Sequence, residues 1–295
     1  MRRGVIINHT RSRTALHRAG ALLFALLVVV TFVMMACRPA ELALLEPVDY
    51  DDGAVWTNSL GMKFLHVPSK VSLLMSAYET RVKDFRSFID ESGHDASSGF
   101  YYYENLSWKS DEKDWRNPGF NQSDDYPVVG ISWNDAVAFC HWLTEQERGA
   151  GLITAKQTYR LPTDQEWTSA AYPAMAWPYP TNTANYHIEA GIDKFDYASP
   201  VGSFPPNRNG FYDLAGNAWE YCLDRVGPNG DYRTIRGGSW QNWHAPFLGT
   251  KARGSCSVNV RISIYGFRVV LADADENLSK KNERKTAPEL VPPAG

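Results

Sequence analysis

Residues 210–220 read GFYDLAGNAWE, and residues 236–240 read RGGSW. Neither segment has the spacing of a helix or the alternation of a strand, and their glycines suit tight turns or close approach of the backbone. Asp213 and Glu220 are carboxylates among aromatic residues, and Asn217 adds a third polar group. Two interpretations are open at this point: a packed structural loop, or a hard-cation site built from carboxylate and backbone oxygens.

The composition fits a domain of this irregular kind. The chain has 295 residues, which is enough for one large domain or two small ones. Its 10 Trp, 15 Tyr and 13 Phe residues favour a loop-rich domain whose core is fixed by large rings.

The N-terminus carries an export signal. Five arginines and no acidic residue occur within residues 1–36, and residues 20–36 are apolar apart from Thr31. This is the pattern of a secretory signal. Because Ala36 directly precedes Cys37, the end of the apolar run resembles a bacterial lipobox, whose cysteine becomes the lipidated first residue. The alternative is an uncleaved membrane anchor. Either reading predicts a signal over 1–36, a tether over 37–53 and a domain outside the cytoplasm.

Charge and cysteine usage exclude two classes of partner. Removal of residues 1–36 takes away five basic residues and no acid, so the acidic excess grows from three to eight. An acidic chain without a basic run argues against nucleic acid. Cys140, Cys222 and Cys256 remain after Cys37, and three leaves at least one unpaired. The chain has no CxxC or HExxH motif, which makes a zinc site improbable.

Periodicity and capping signals predict several regular elements. We expect strands over 62–67 and 232–236, and helices that begin after Thr80, Ser132 and Thr163. Glu166 completes a capping box with Thr163, and Cys140 lies on the apolar face of its helix, as a buried thiol does. Residues 99–125 read as a long surface loop packed by rings, and residues 273–295 as a disordered tail.

Five segments, in this order, resemble the formylglycine-generating enzyme domain, also called the sulfatase-modifying factor domain. They read YET at 78–80, SWNDA at 132–136, RLPTDQEW at 160–167, GNAWE at 216–220, and RGGSW at 236–240 followed by GFR at 266–268. The resemblance covers residues 54–272. It implies an irregular, loop-rich α+β fold, which is a variant of the C-type lectin fold.

Members of this family carry two structural calcium ions, and the resemblance implies a ligand set for each. The first set is Asn185, the Tyr186 carbonyl, Asp193 and the Phe195 carbonyl. The second set is Asp213, the carbonyls of Gly216 and Ala218, and Glu220. Carboxylate, amide and backbone oxygens are the ligands that calcium prefers.

The sequence departs from the enzymes at their catalytic cysteines. Those enzymes oxidise a sulfatase cysteine to formylglycine with copper and oxygen, and their two cysteines follow the Gly-Gly-Ser turn. The equivalent positions here are Asn242 and Phe247, which cannot supply a thiolate to Cu(I), so copper is not expected. The pocket implied by the resemblance would involve Ser239, Trp240, Asn242 and His244. A single histidine is more typical of a structural role than of a metal ligand.

The resemblance without the cysteine pair predicts a non-catalytic binding or scaffolding module. It would lie in the bacterial cell envelope and face the periplasm or the exterior. Its partner would be an envelope protein, a peptide or a glycan. The alternative is an oxidoreductase of the same family that acts on protein or peptide substrates with altered metal chemistry.

Overall fold

The computed structural model describes residues 56–68, 70–104, 107–110, 113–173, 183–186, 193–228, 230–242, 244 and 247–273. These residues contain helices α1 (Val82–Ser92), α2 (Trp133–Gly149) and α3 (Asp164–Ala170). Their strands are β1 (Trp56–Thr57), β2 (Lys63–Val67), β3 (Lys70–Ser76), β4 (Phe100–Glu104), β5 (Ser107–Ser110), β6 (Gln157–Arg160), β7 (Trp219–Val226), β8 (Tyr232–Arg236), β9 (Arg253–Ser257), β10 (Arg261–Ile262), β11 (Tyr265–Gly266) and β12 (Val270–Asp273). The proposed signal, Cys37, the tether and residues 274–295 lie outside this range.

The strands form three sheets, and the last strand lies inside the largest one. The five-stranded sheet has the order β1-β2-β3-β12-β6, with antiparallel pairing throughout. A four-stranded sheet follows the order β11-β7-β8-β9, and a three-stranded sheet the order β10-β4-β5. The short, separate sheets with three helices confirm the predicted irregular α+β class.

Two of the three predicted helix caps are confirmed. The Ser132 hydroxyl accepts from the Asp135 amide at the start of α2, and the Asp135 carboxylate accepts from the Ser132 amide. Thr163 and Glu166 make the same reciprocal pair at α3. The first cap is wrong by one residue, because α1 begins after Arg81. There, the Asp84 carboxylate accepts from the Arg81 amide at 3.0 Å.

The prediction of a continuous loop over residues 99–125 is wrong at residues 100–104 and 107–110, which form strands. β4 and β5 pair as an antiparallel hairpin, and β10 adds to β4 in parallel. Phe100 and Tyr102 are buried whereas Tyr101 between them is exposed, which is the period-two alternation of a half-buried strand. The consecutive tyrosines hid this alternation, because all of them count as apolar in the sequence.

Aromatic rings build the core, as the composition predicts. The ring of Phe85 on α1 lies 5.2 Å from Trp115, 6.2 Å from Phe139 on α2 and 6.5 Å from Phe267, centroid to centroid. Edge-to-face and offset arrangements at these distances are the favourable ones for aromatic pairs. No helix among the described residues is both long enough and apolar enough to cross a membrane.

Cys140, Cys222 and Cys256 are all buried with free thiols. Burial raises the pKa of Cys140 and Cys222, and raises that of Cys256 to about 12. The predicted burial of Cys140 is confirmed. Such thiols are protonated at neutral pH and behave as small apolar side chains.

Candidate functional site

Two irregular loops meet at the centre of the site. Asn185 and Gly216 form an isolated parallel bridge, and the Asn217 amide donates to the Asn185 carbonyl at 2.8 Å. A Cβ atom built on Gly216 would lie 2.1 Å from the Asn185 carbonyl oxygen. Only glycine allows this approach. The two ligand sets implied by the resemblance therefore lie on neighbouring backbones.

The first set contains a buried oxygen atom without a hydrogen-bond partner. The Asn185 side-chain nitrogen donates to the Tyr197 carbonyl at 3.0 Å and to Asn217 Oδ1 at 3.2 Å. Its own Oδ1 atom is buried and accepts no hydrogen bond from the described residues. Native proteins rarely leave such an atom unpaired. A hard cation would satisfy it, so Asn185 fits the predicted role.

Asp193 is held close to Asn185 because its carboxylate accepts a hydrogen bond from the amide of the next residue, Tyr186. Its Oδ2 accepts from the Tyr186 amide and its Oδ1 from the Phe195 amide, both at 2.8 Å. Burial raises the pKa of Asp193, and these two hydrogen bonds oppose the rise. Each carboxylate oxygen retains a second lone pair, so an amide oxygen and a carboxylate are available for one cation.

One member of the second set, Glu220, forms a buried ion pair. Glu220 Oε2 accepts from Arg268 Nε at 2.6 Å and from Trp167 Nε1 at 2.7 Å, and its Oε1 accepts from Arg268 Nη2 at 2.7 Å. Both charged side chains are fully buried. Asp213 Oδ2 accepts from the Gly202 amide at 2.6 Å, and Asp213 has a positive φ of 55°. Glu220 therefore acts first as the counterion of Arg268.

Glu79 joins this cluster, although its role could not be read from the sequence. Its Oε1 accepts from the Ala218 amide at 3.1 Å, and its Oε2 from the Asn217 side chain at 2.8 Å. Burial, followed by the charges of Asp213 and Glu220, raises its pKa well above the usual range. Burial likewise raises the pKa of Asp213 to about 6. The Tyr-Glu-Thr segment carries Glu79, but nothing in its spacing indicates this contact.

The surroundings of GNAWE thus contain three buried carboxylates and Arg268. Burial opposes the charge of Arg268, but Glu220 raises its pKa above the usual value. No three Asp, Glu, His or Cys side chains among the described residues are placed to hold a metal ion together. A cation at either set would therefore depend on amide and backbone oxygens as well as carboxylates.

The RGGSW turn is packed tightly against the rest of the site. Ser239 Oγ and its amide donate to Asn242 Oδ1 at 3.0 and 2.8 Å, and the Asn242 amide donates back to the Ser239 carbonyl. Trp240 is fully buried, with its indole N–H directed to the Ser263 carbonyl. A Cβ atom on Gly238 would lie 2.4 Å from the Phe247 carbonyl oxygen.

The four residues of the expected pocket have different environments. Ser239 and Trp240 are buried, Asn242 is partly exposed and His244 is exposed. The Ser239 hydroxyl is engaged in the turn, so only Asn242 and His244 present side chains to the solvent. Phe247 adds a third exposed side chain to this side of the turn, with 44% of its surface accessible. Its ring packs edge-on against Trp219, with centroids 6.3 Å apart.

Asn242 and Phe247 stand where the resemblance places the two cysteines of the enzymes. No cysteine occurs between Cys222 and Cys256. Asn242 supports the turn and Phe247 packs on Trp219, whereas the three described cysteines are buried in α2, β7 and β9. The residues at this turn therefore do not fit a Cu(I) site of the enzyme type, since that ion prefers soft thiolate ligands.

Comparison with known proteins relates this arrangement to one family. Residues 65–273 match the family described as "Sulfatase-modifying factor enzyme 1-like domain". A mouse protein named "Inactive C-alpha-formylglycine-generating enzyme 2" is 38% identical over 146 residues, which cover 43% of each chain. The bovine "Formylglycine-generating enzyme" is 26% identical over 223 residues, which cover 56% of each chain.

The matches to these relatives span 43% and 56% of their own length. Among solved structures, PvdO from Pseudomonas aeruginosa superimposes with a TM-score of 0.54 at 22% identity, over 68% of this chain and 80% of that one. At this identity the similarity concerns the fold alone.

Proposed function

The chain belongs to the family of the sulfatase-modifying factor enzyme 1-like domain, and from this membership we propose that it is a non-catalytic binding module. One observation carries the proposal. The positions of the enzymes' copper ligands hold Asn242 and Phe247, and the described thiols are buried elsewhere. The similarity to a mouse protein named as inactive supports the same reading.

The first experiment separates binding from catalysis. The protein is incubated with a sulfatase-derived peptide containing the target cysteine, Cu(I), oxygen and a thiol reductant, and the peptide is analysed by mass spectrometry. We expect no formylglycine. The double variant Asn242→Cys/Phe247→Cys tests the explanation, because it restores a thiol pair and should bind Cu(I) more tightly than the native protein. Conversion of the peptide by the native protein would overturn the proposal in favour of an oxidoreductase.

The binding surface that the proposal favours lies beside the RGGSW turn. His244 and Phe247 are exposed there, next to the partly exposed Asn242. An exposed aromatic ring next to polar side chains is typical of residues that contribute strongly to protein and peptide binding. We propose that an envelope protein, peptide or glycan binds at this surface.

Capture from envelope extract tests this surface with a matched control. The variants Phe247→Ser and Tyr101→Ser each remove one aromatic ring, exposed by 44% and 45% respectively. A partner that the native chain and Tyr101→Ser retain, but Phe247→Ser loses, would support the proposal. Equal retention by both variants would place the binding surface elsewhere.

We further propose that the chain is a lipoprotein anchored through Cys37, with its domain outside the cytoplasm. The support is the order of arginines, apolar run and Ala36-Cys37 in the sequence. Metabolic labelling with a fatty acid tests this. Cys37→Ser should abolish the label, and an unchanged label in that variant would exclude the site.

Calcium is proposed as a structural ligand of the domain. The buried, unpartnered Asn185 Oδ1 and the adjacent Asp193 support the first site, and the surplus of buried carboxylates around Arg268 supports the second. Bound calcium would connect loops that have few regular hydrogen bonds. Removal of calcium with EGTA should therefore lower the melting temperature, and an unchanged melting temperature would contradict this role.

A further inference from the structure

Two arginines face each other at the tip of the β7–β8 hairpin. Arg225 on β7 pairs in register with Arg233 on β8. Directly opposed residues of an antiparallel pair point to the same face of the sheet, and like charges in such a pair are destabilising. The hairpin therefore holds two positive charges together at a cost to its own stability.

The backbone of Gly230 brings the two guanidinium groups to one place. Arg233 Nη1 donates to the Gly230 carbonyl at 2.5 Å. A Cβ atom built on Gly230 would lie 3.0 Å from Arg225 Nη1. Gly230 has a positive φ of 73°, which disfavours a side chain there. The two groups thus converge on a point that carries no side chain.

Arg225 has no protein acceptor in the described part of the chain. Its guanidinium makes no hydrogen bond there and has no carboxylate within 4 Å, and its Nε atom is buried. Among the described residues, Arg233 Nη1 donates to the Gly230 and Tyr232 carbonyls, and no hydrogen bond is made by Arg233 Nη2 or by either Nη atom of Arg225. Five donors of a guanidinium seldom remain unused in a partly buried side chain.

Arg233 is held in position rather than mobile. It is only 7% exposed, its guanidinium carbon lies 4.3 Å from the centroid of the Trp133 ring, and its Nε atom is buried without a partner. Burial lowers the pKa of Arg233, and the charge of Arg225 lowers it further. A fixed guanidinium beside an uncompensated second one is a preorganised receptor for an anion.

Neighbouring acids do not neutralise the pair. Asp231 attracts Arg233 only weakly, and it is exposed. The Asp224 carboxylate accepts from the Asp164 amide on α3 at 2.5 Å, and Asp164 is itself paired with Arg236 and Arg253. Cys256, the partner of Arg233 on β9, is a protonated thiol with a pKa raised by burial to about 12. The local excess of charge is positive.

We propose that Arg225 and Arg233 form a binding site for a divalent oxyanion, namely a phosphate or sulfate group. Two guanidinium groups held beside Gly230 supply several N–H donors, and their combined charge matches a dianion. The group is either a free ion or part of an ester, and Gly227, Pro228 and Tyr232 beside the pair are exposed.

Isothermal titration calorimetry of the mature chain tests the proposal at constant ionic strength. Inorganic phosphate and sulfate should bind with one site per chain, and acetate should bind more weakly. Phenyl phosphate distinguishes the two sources of the group. Tighter binding than inorganic phosphate indicates an ester, and equal or weaker binding indicates the free ion.

Two variants complete the experiment. Arg225→Gln should weaken phosphate binding on the order of tenfold or more, since charge-assisted hydrogen bonds are the strong ones. Arg208→Gln removes an exposed arginine that lies outside the pair, and it should leave the affinity unchanged. Because Arg225 makes no hydrogen bond that the fold needs, circular dichroism should show a native fold for both variants.

Two results would overturn the site. The first is the absence of saturable phosphate and sulfate binding at millimolar concentration. The second is an equal loss of affinity in Arg208→Gln and Arg225→Gln, which would mean attraction to the overall charge of the surface. Neither result depends on calcium, on Cys37 or on the surface around Phe247, so this test is independent of the proposed function.

Discussion

The base and the tip of the β7–β8 hairpin carry opposite charge imbalances. At the base, three buried carboxylates surround Arg268, and two of them have raised pKa values. At the tip, Arg225 and Arg233 oppose each other without a carboxylate within 4 Å among the described residues. The same two strands therefore lead from a region short of positive charge to a region short of negative charge.

The two regions differ in whether the sequence alone indicates them. The acidic base lies in segments whose motifs resemble a known family, so Asp213 and Glu220 could be singled out from the sequence, whereas the contacts of Glu79 could not. The arginine pair lies in YRTIR and in the preceding strand, which carry no motif, and only the strand register brings the two arginines together. The excess of positive charge at the tip therefore follows from the pairing register of β7 and β8 and not from the sequence of either strand alone.

The largest effect is expected from removal of the cation at the base. Arg268→Met leaves Glu79, Asp213 and Glu220 buried without their arginine, and the loss of one partner of a buried pair costs about 3–5 kcal/mol. Urea unfolding measures this change. The double variant Arg268→Met/Glu220→Gln should lose less stability than the sum of the losses in the two single variants, because the two residues are in contact. Full additivity would contradict the description of a coupled cluster.

The second effect concerns the proposed calcium ion beside Asn185 and Asp193. At a calcium concentration a hundredfold above the dissociation constant, binding stabilises the folded state by about 2.7 kcal/mol, or roughly 5–10 °C in melting temperature for a domain of this size. Asp193→Asn should remove most of this rise. Asp196→Asn, an exposed acid three residues away, is the control. A calcium response that both variants retain would separate Asp193 from the ion.

Asp135 and its partners Arg261 and His94 form a third charged cluster, in which the carboxylate does have basic partners. Its pH dependence can be compared with the base and the tip. The Asp135 carboxylate accepts from Arg261 Nε at 2.8 Å and from His94 Nε2 at 2.8 Å. Burial opposes its ionisation, but the hydrogen bonds from Arg261, His94 and Ser132 outweigh burial and lower its pKa below 3.8. Asp135→Asn should therefore cost about 1.5–3 kcal/mol at pH 7.

The sign of the pH dependence follows from this lowered pKa. A carboxyl group with a lowered pKa in the folded state stabilises the protein fully above its unfolded pKa, and the contribution is lost as the pH falls through the folded value. The difference in stability between the native chain and Asp135→Asn should thus be constant above about pH 5 and shrink below pH 3.8. A difference that grows on acidification would show that the carboxylate is not stabilised by these partners.

The smallest effect on stability is expected at the tip. Arg225→Met removes a charge that has no hydrogen bond and faces a like charge, so stability should change by no more than about 0.5 kcal/mol. Urea unfolding without phosphate measures this change. A loss comparable to that of Arg268→Met would mean that Arg225 has a structural partner, and the contrast between base and tip would fail.

Much of the fold could be predicted because its signals are local. Ser132 and Thr163 each have their capping partner three residues further along the chain, so both helix starts are predictable from the local sequence. The β4 strand was missed because consecutive aromatic residues mask the alternation between buried and exposed positions. The α1 cap was misplaced by one residue, since the Asp84 carboxylate selects Arg81 rather than Thr80 as the first capped residue.

The site was predictable in its composition and less so in its contacts. The role of Asn185 and Asp193 as cation ligands stays a prediction, and the buried Asn185 Oδ1 accepts no hydrogen bond from the described residues. The Glu220–Arg268 pair could not be inferred, because 48 residues separate its members. Ser239 was expected in a pocket, yet its hydroxyl is buried in the turn and bonded to Asn242. The first outcome depends on long-range pairing, and the second on a local contact within the turn.

The position of β12 has a consequence for how the chain folds during its synthesis. This strand lies between β3 and β6 in the largest sheet, and Arg268, which balances the buried carboxylates, precedes it by two residues. While the last residues of a nascent chain are still in the ribosome, β12 and Arg268 are not available to the rest of the domain. We therefore expect the residues before Arg268 to remain without their complete fold until this last segment is available. Truncation before residue 268 should yield a chain that proteases degrade rather than a smaller folded domain.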